Sequence, residues 1–142
     1  MKLKTLLVVC ILSLCGILAT SLGAQPLSAR FNVPFDFVVA GKTMPAGAYA
    51  INFDAAQTGM VKIQSADARK AVYALTHNGP LEPAKNDATL VFHRYGDRYY
   101  LAQVNKGGIA APALALPTSK AEVEATKTAA IQAETVTLVA MR

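Results

Sequence analysis

Past its first thirty residues the chain alternates apolar and polar positions in short runs broken by turn residues. In "RFNVPFDFVV", Phe31, Val33, Phe35, Phe37 and Val39 share one face, and Asn32, Pro34 and Asp36 share the other. A period of two is that of a strand with one buried side. Proline has no N–H, so Pro34 predicts an edge strand or a bulge. "AGKTMPAGAY" offers two turns, at Gly41-Lys42 and at Pro45-Ala46-Gly47. Further strands follow in "AYAINFD", with Tyr49, Ile51 and Phe53 together, in "MVKIQ" and in "AVYALTH". "NGPLEPAKND", Asn78 to Asp87, reads as a loop, and Gly107-Gly108 as a flexible joint before a weakly strand-like "IAAPALALP".

The segment "LVFHRYGDRYYLAQV", Leu90 to Val104, predicts a hairpin with Gly96-Asp97 as a two-residue type II′ loop. Tyr95 then faces Arg98, Arg94 faces Tyr99, His93 faces Tyr100, Phe92 faces Leu101, Val91 faces Ala102 and Leu90 faces Gln103. Arg94 over Tyr99 and Arg98 beside Tyr95 are expected cation–aromatic pairs, each contributing about 0.5–1 kcal/mol when exposed. Ser119 and Glu122 form an S-x-x-E capping box, which starts a short helix from Lys120 to about Ile131. "TVTLVAM", Thr135 to Met141, reads as a closing strand that could lie beside the first. The pattern predicts a mainly β fold: an antiparallel sandwich or small barrel of about seven strands with one short C-terminal helix.

The N-terminus has a different pattern. Lys2 and Lys4 precede the apolar run Leu6 to Ala19, and small uncharged residues follow as far as Arg30. That order is a signal peptide, with cleavage expected after Ala24, or alternatively after Ala29. The run falls short of the roughly 20 residues a membrane-spanning helix needs; an uncleaved anchor is the alternative. Residues 1–24 are therefore assigned to the leader and 25–142 to a single β-rich domain, exported to the periplasm or the cell exterior. Both cysteines, Cys10 and Cys15, lie in the leader. Leu14 before Cys15 does not fit a lipid-anchor site. Residues 25–142 contain no cysteine, so their stability rests on an apolar core and backbone hydrogen bonds.

Of the net charge of +5, Lys2 and Lys4 supply two, leaving +3 on the domain, spread without a Lys/Arg run. That argues against a nucleic-acid surface. His77 and His93 lack a third metal ligand at suitable spacing, and no metal or other cofactor is expected. No nucleophile elbow, phosphate-binding glycine loop or C-x-x-C is present. The expected role is a non-enzymatic binding or envelope-associated structural module. It would take a small ligand, glycan or protein through Arg94, Tyr95, Arg98, Tyr99 and Tyr100, and meet the membrane only through its leader. Two alternatives stay open. One is a small hydrolase using strand-end carboxylates, Asp36 and Asp97 first among them. The other is a subunit of a surface assembly that pairs through an edge strand.

Three stretches, "VPFDFVVAGKTMPAGAYAI", "LVFHRYGDRYYLAQV" and "LPTSKAE", resemble a family of small exported bacterial proteins. In that family a PFDF-x-V-x-G-x-x-x-PAG-x-Y stretch precedes LVFHRYGD-x-YFL-x-x-V, with LP-x-S-x-x-E near the end. The resemblance covers less than half of residues 25–142. It implies export and a β-rich fold, and it supplies no site, because the family has no assigned activity. Beyond Glu122 the chain continues into a strand-like tail outside the family pattern.

Overall fold

The structure is a computed structural model and describes residues 27–53, 59–108, 110–128 and 132–141; the predicted leader, 1–24, lies outside them. Among the described residues the chain forms eleven strands and one helix, in the order β1 (Leu27–Val33), β2 (Phe37–Val39), β3 (Lys42–Met44), β4 (Gly47–Phe53), β5 (Met60–Ser65), β6 (Ala71–Leu75), β7 (His77–Glu82), β8 (Thr89–Tyr95), β9 (Arg98–Asn105), β10 (Ala111–Ala115), α1 (Lys120–Thr128) and β11 (Glu134–Val139). No helix among these residues is long and apolar enough to cross a membrane.

Two sheets form a sandwich and do not close into a barrel. The first has the order β1-β4-β5-β6; the second runs β11-β8-β9-β10-β7, with the β2–β3 ribbon joined to β9. β2 and β9 pair in parallel, whereas every other ladder is antiparallel. Phe31, Ile51 and Ile63 of the first sheet and Phe37, Phe92 and Val104 of the second are almost fully buried in one shared core. Burial at about 25 cal/mol per Å² of apolar surface is the main favourable term for such a layer pair.

The strand count exceeds seven because segments read as continuous are divided. "RFNVPFDFVV" breaks at Pro34–Asp36, so β1 is an edge strand of the first sheet while β2 enters the second. Its odd-numbered residues still face one core, since that core lies between the sheets. The β2–β3 turn is Ala40-Gly41, one residue earlier than expected, with φ of +48° and +74°. Positive φ at both positions is the type I′ geometry. The predicted loop at Asn78–Asp87 begins as β7, where Pro80 is tolerated because the strand lies at a sheet edge. β11 pairs with β8 rather than β1; a single backbone bond, from Met141 N–H to the Arg30 carbonyl at 2.8 Å, links its end to β1.

Gly107 is not a flexible joint. It sits at φ +74°, and a Cβ there would lie 2.7 Å from the Asp87 carbonyl carbon. The Gly108 N–H also donates to the Lys85 carbonyl. The 87–88 backbone thus approaches Gly107 too closely for a side chain between them.

Candidate functional site

The β8–β9 hairpin forms as expected at its tip. Gly96 has φ +61° and Asp97 has negative φ, as a type II′ turn requires. The predicted register holds from Tyr95↔Arg98 to Phe92↔Leu101 and then slips: Val91 pairs with Gln103 and Leu90 with Val104. The extra residue is Ala102, a β-bulge whose carbonyl accepts the Leu116 N–H at 2.8 Å. The slip turns Val104, rather than Gln103, into the core beside Leu101.

The two faces of this hairpin have different partners. On the core side Tyr99 stacks on Phe35, with ring centroids 3.7 Å apart and planes at 11°, and Phe92 meets Phe35 edge-on at 5.2 Å. Arg94 lies over Tyr99 at 5.5 Å, as expected. Its Nε donates to the Gly96 carbonyl at 2.8 Å and its Nη1 to Glu134 Oε2 at 3.2 Å. Arg94 and Tyr99 are therefore engaged within the fold, tying the hairpin to β11 and to the Pro34–Asp36 crossover.

That crossover is itself clasped. Asp36 Oδ1 accepts the Ala46 N–H at 2.8 Å, which joins the two places where the chain passes between sheets. Tyr49 donates its hydroxyl to the Pro45 carbonyl and meets Phe37 edge-on at 5.2 Å. Burial, with the nearby Asp36 and Asp67 charges adding to it, raises the Tyr49 pKa above 10.0. Asp36, one of the two candidate hydrolytic acids, serves here as a backbone acceptor, whereas Asp97 stands at the hairpin tip.

The outer face of the hairpin is covered by α1. Ser119 caps the helix as predicted, its Oγ accepting the Glu122 N–H at 3.1 Å, an arrangement that contributes about 1 kcal/mol in typical helices. The other half of the box is redirected. Glu122 is 5% exposed, and its Oε1 lies 2.9 Å from His93 Nδ1 and 3.5 Å from the Tyr95 hydroxyl. An ionised carboxylate only accepts, which assigns Nδ1 as the donor of this pair. Tyr100, 1% exposed, donates its hydroxyl to the Ala121 carbonyl at 3.3 Å. Tyr95 meets both His93 and Tyr100 edge-on, at 6.4 and 5.8 Å. Burial first, then the charge and hydrogen bond of Glu122, raise the Tyr95 pKa above 10.0.

His93 thus contacts Tyr95 and Glu122, although Tyr100 is its cross-strand partner. Tyr95 packs on these rings, and the cation–aromatic contact of the hairpin is Arg94 over Tyr99. His77 lies on β7, separated from β8 by the two strands β9 and β10. Among the described residues no group of three His, Cys, Asp or Glu side chains could hold a metal.

Where α1 passes the hairpin tip, a cleft of about 600 Å³ opens, lined by Tyr95, Gly96, Asp97, Arg98, Ala121, Glu124, Ala125 and Thr128. Of the five expected binding residues, Tyr95 and Arg98 line this cleft, Tyr100 supports α1 nearby, and Arg94 and Tyr99 face the core side. Asp97, Glu124 and Thr128 join the site from outside the expected set. Glu122 carried one sequence signal, its place in the capping box, which directs its carboxylate to the Ser119 N–H and not to His93, where the structure places it. Comparison with known proteins finds no match: no family model, no curated protein and no solved structure corresponds to this chain.

Proposed function

We propose that the protein is an exported, non-enzymatic β-sandwich module of the bacterial envelope that binds a small polar ligand at the tip of the β8–β9 hairpin. The observation that carries this reading is the cleft between that tip and α1. Its volume of about 600 Å³ lies within the range of about 300–1,000 Å³ typical of small-ligand sites. Its lining combines an aromatic wall, Tyr95, with an exposed guanidinium, two carboxylates and a hydroxyl from Arg98, Asp97, Glu124 and Thr128. Aromatic faces with mixed hydrogen-bonding groups suit a polyhydroxylated ligand such as a glycan fragment, or the polar end of a peptide. The ordered residues beneath, Glu122, His93 and Tyr100, hold both walls in place before a ligand arrives, which lowers the ordering cost of binding. Export is supported by the residue pattern of positions 1–24.

The test is retention on glycan and peptide arrays. Arg98→Ala removes an exposed cleft group, and its expected result is loss of retention with unchanged β-type circular dichroism. Retention equal to that of the parent protein would exclude the cleft as the binding site.

A further inference from the structure

A second groove lies along β6 and shares only Ala121 with the cleft at the hairpin tip. It measures about 610 Å³ and is bounded by Tyr73, Ala74 and Leu75 on one side, and by Ala40-Gly41 and the Leu116–Ala121 segment on the other. Three consecutive residues of one strand line it. Side chains alternate between the faces of a sheet, so the groove runs along the strand's edge rather than over a face.

Two backbone bonds show which way that edge points. Thr76 N–H donates to the Gly59 carbonyl at 2.7 Å, and Ser65 N–H to the Lys70 carbonyl at 2.9 Å, at opposite ends of the β5–β6 ladder. In an antiparallel ladder alternate residues exchange bonds with the partner strand. The even-numbered residues of β6 therefore bond to β5. The N–H and C=O groups of Ala71, Tyr73 and Leu75 point away from it, and among the described residues β6 pairs with no other strand.

Exposed edges are commonly guarded by charge, proline or a bulge. β7 contains Pro80, β11 contains Glu134, and Pro34 directly follows β1. β6, "AVYAL", has none of these, and its ladder with β5 is regular. Its outward side chains Tyr73 and Leu75 are 60% and 66% exposed. The charged residue lining the groove is Lys120, and Lys62 Nζ stands 5.9 Å over the Tyr73 ring.

From the unguarded edge and its cationic surroundings we propose that β6 accepts an extended peptide segment of another protein as an additional strand, and that this segment alternates apolar and acidic residues. Main-chain bonds to Tyr73 and Leu75 supply pairing, as in other strand-addition sites. Lys120 and Lys62 select carboxylates. This site does not depend on the cleft at the hairpin tip.

The probe is a short acetylated, fluorescent peptide alternating valine and glutamate, compared with its valine–lysine counterpart. Both are titrated by anisotropy into protein expressed from the full-length coding sequence. The acidic peptide is expected to bind at least about tenfold tighter, the preference expected of complementary charges, and to slow hydrogen exchange at the Tyr73 and Leu75 amides. Lys120→Glu, at an exposed position, should narrow or reverse the preference. Leu75→Pro, which deletes an outward N–H, should weaken binding at least about tenfold, while Leu75→Thr retains it. Equal affinity for the two peptides, or binding without protection of those amides, would overturn the proposal. So would concentration-dependent dimerisation that the acidic peptide does not displace, which would make a second copy the occupant. Arg98→Ala should leave this binding unchanged, so failure at one site is distinguishable from failure at the other.

Discussion

The two sheets of this sandwich bury side chains into the same core and use their outer faces differently. In the first sheet, β4, β5 and β6 alternate buried and more exposed positions, and their ladders run without a register shift. Its outward residues face solvent and need no partners. In the second sheet, the outer side of β8–β9 lies under α1. There Tyr100 is buried and His93 and Tyr95 are half-buried, and all three find hydrogen bonds inside the protein. Glu122 and the Ala121 carbonyl provide them. The helix carries few apolar groups toward the sheet, so this polar set is its main attachment. The first sheet, covered on one side, is specified by alternation; the second adds specific polar contacts under α1, and the candidate cleft forms beside them.

Mutations sharpen this contrast. The largest effect is expected in the shared core, where the sheets are equivalent: Phe92→Ala should cost about 3–5 kcal/mol, and Ile51→Ala about 2–5, in urea unfolding. A negligible loss at Phe92 would mean that the second sheet does not share the core. Next is Gly107→Ala, expected to cost about 1–3 kcal/mol, because its positive φ and its contact with the 87–88 backbone both exclude a Cβ. Neutral behaviour there would restore the flexible-joint reading. Smaller, and of opposite sign, is Ala40→Asn, expected to stabilise by up to about 1 kcal/mol, since Asn tolerates the left-handed conformation that Ala40 adopts.

The smallest effects separate the sheets by pH. In the β5–β6 turn of the first sheet, Asp67 accepts from the Ser65 hydroxyl and the Arg69 N–H, and these bonds lower its pKa below 3.8. Its contribution is present above the unfolded value and is lost as pH falls through the folded one. Asp67→Asn should therefore reduce stability at neutral pH and flatten part of the acid loss. In the second sheet the Tyr95 pKa is raised, so its contribution is present below 10.0 and is lost as pH climbs past the folded value. Tyr95→Phe should remove part of the alkaline loss, leaving the part due to Tyr49. Urea midpoints measured across pH would show an unchanged profile if either environment were otherwise.

How much of this could be read from residue order follows the same division. The odd-numbered face of residues 31–39, the Gly96-Asp97 turn and the Ser119 cap are set by local pattern, and all were legible. The division of residues 31–39 between two sheets was half-visible in Pro34, which marks a break without saying where the chain goes next. The bulge at Ala102 was hidden, because an alanine carries no turn signature and its cause is a distant strand-end, Leu116. β7 was masked by Gly79 and Pro80, which local rules assign to a loop. The His93–Glu122 pair joins residues 29 apart in sequence and depends on α1 crossing the hairpin, which no local period encodes. The stretches "VPFDFVVAGKTMPAGAYAI", "LVFHRYGDRYYLAQV" and "LPTSKAE" meet in the fold, with Phe35 on Tyr99 and Glu122 on His93.

The measurement closest to the central claim, that Glu122 fastens α1 onto the outer face of the hairpin, is a double-mutant cycle between His93→Ala and Glu122→Ala, read by urea unfolding and by hydrogen exchange in α1. The expected result is a coupling of about 0.5–3 kcal/mol, with faster exchange at Lys120–Thr128 in both single variants. Additive losses, with α1 exchanging as in the parent protein, would contradict it.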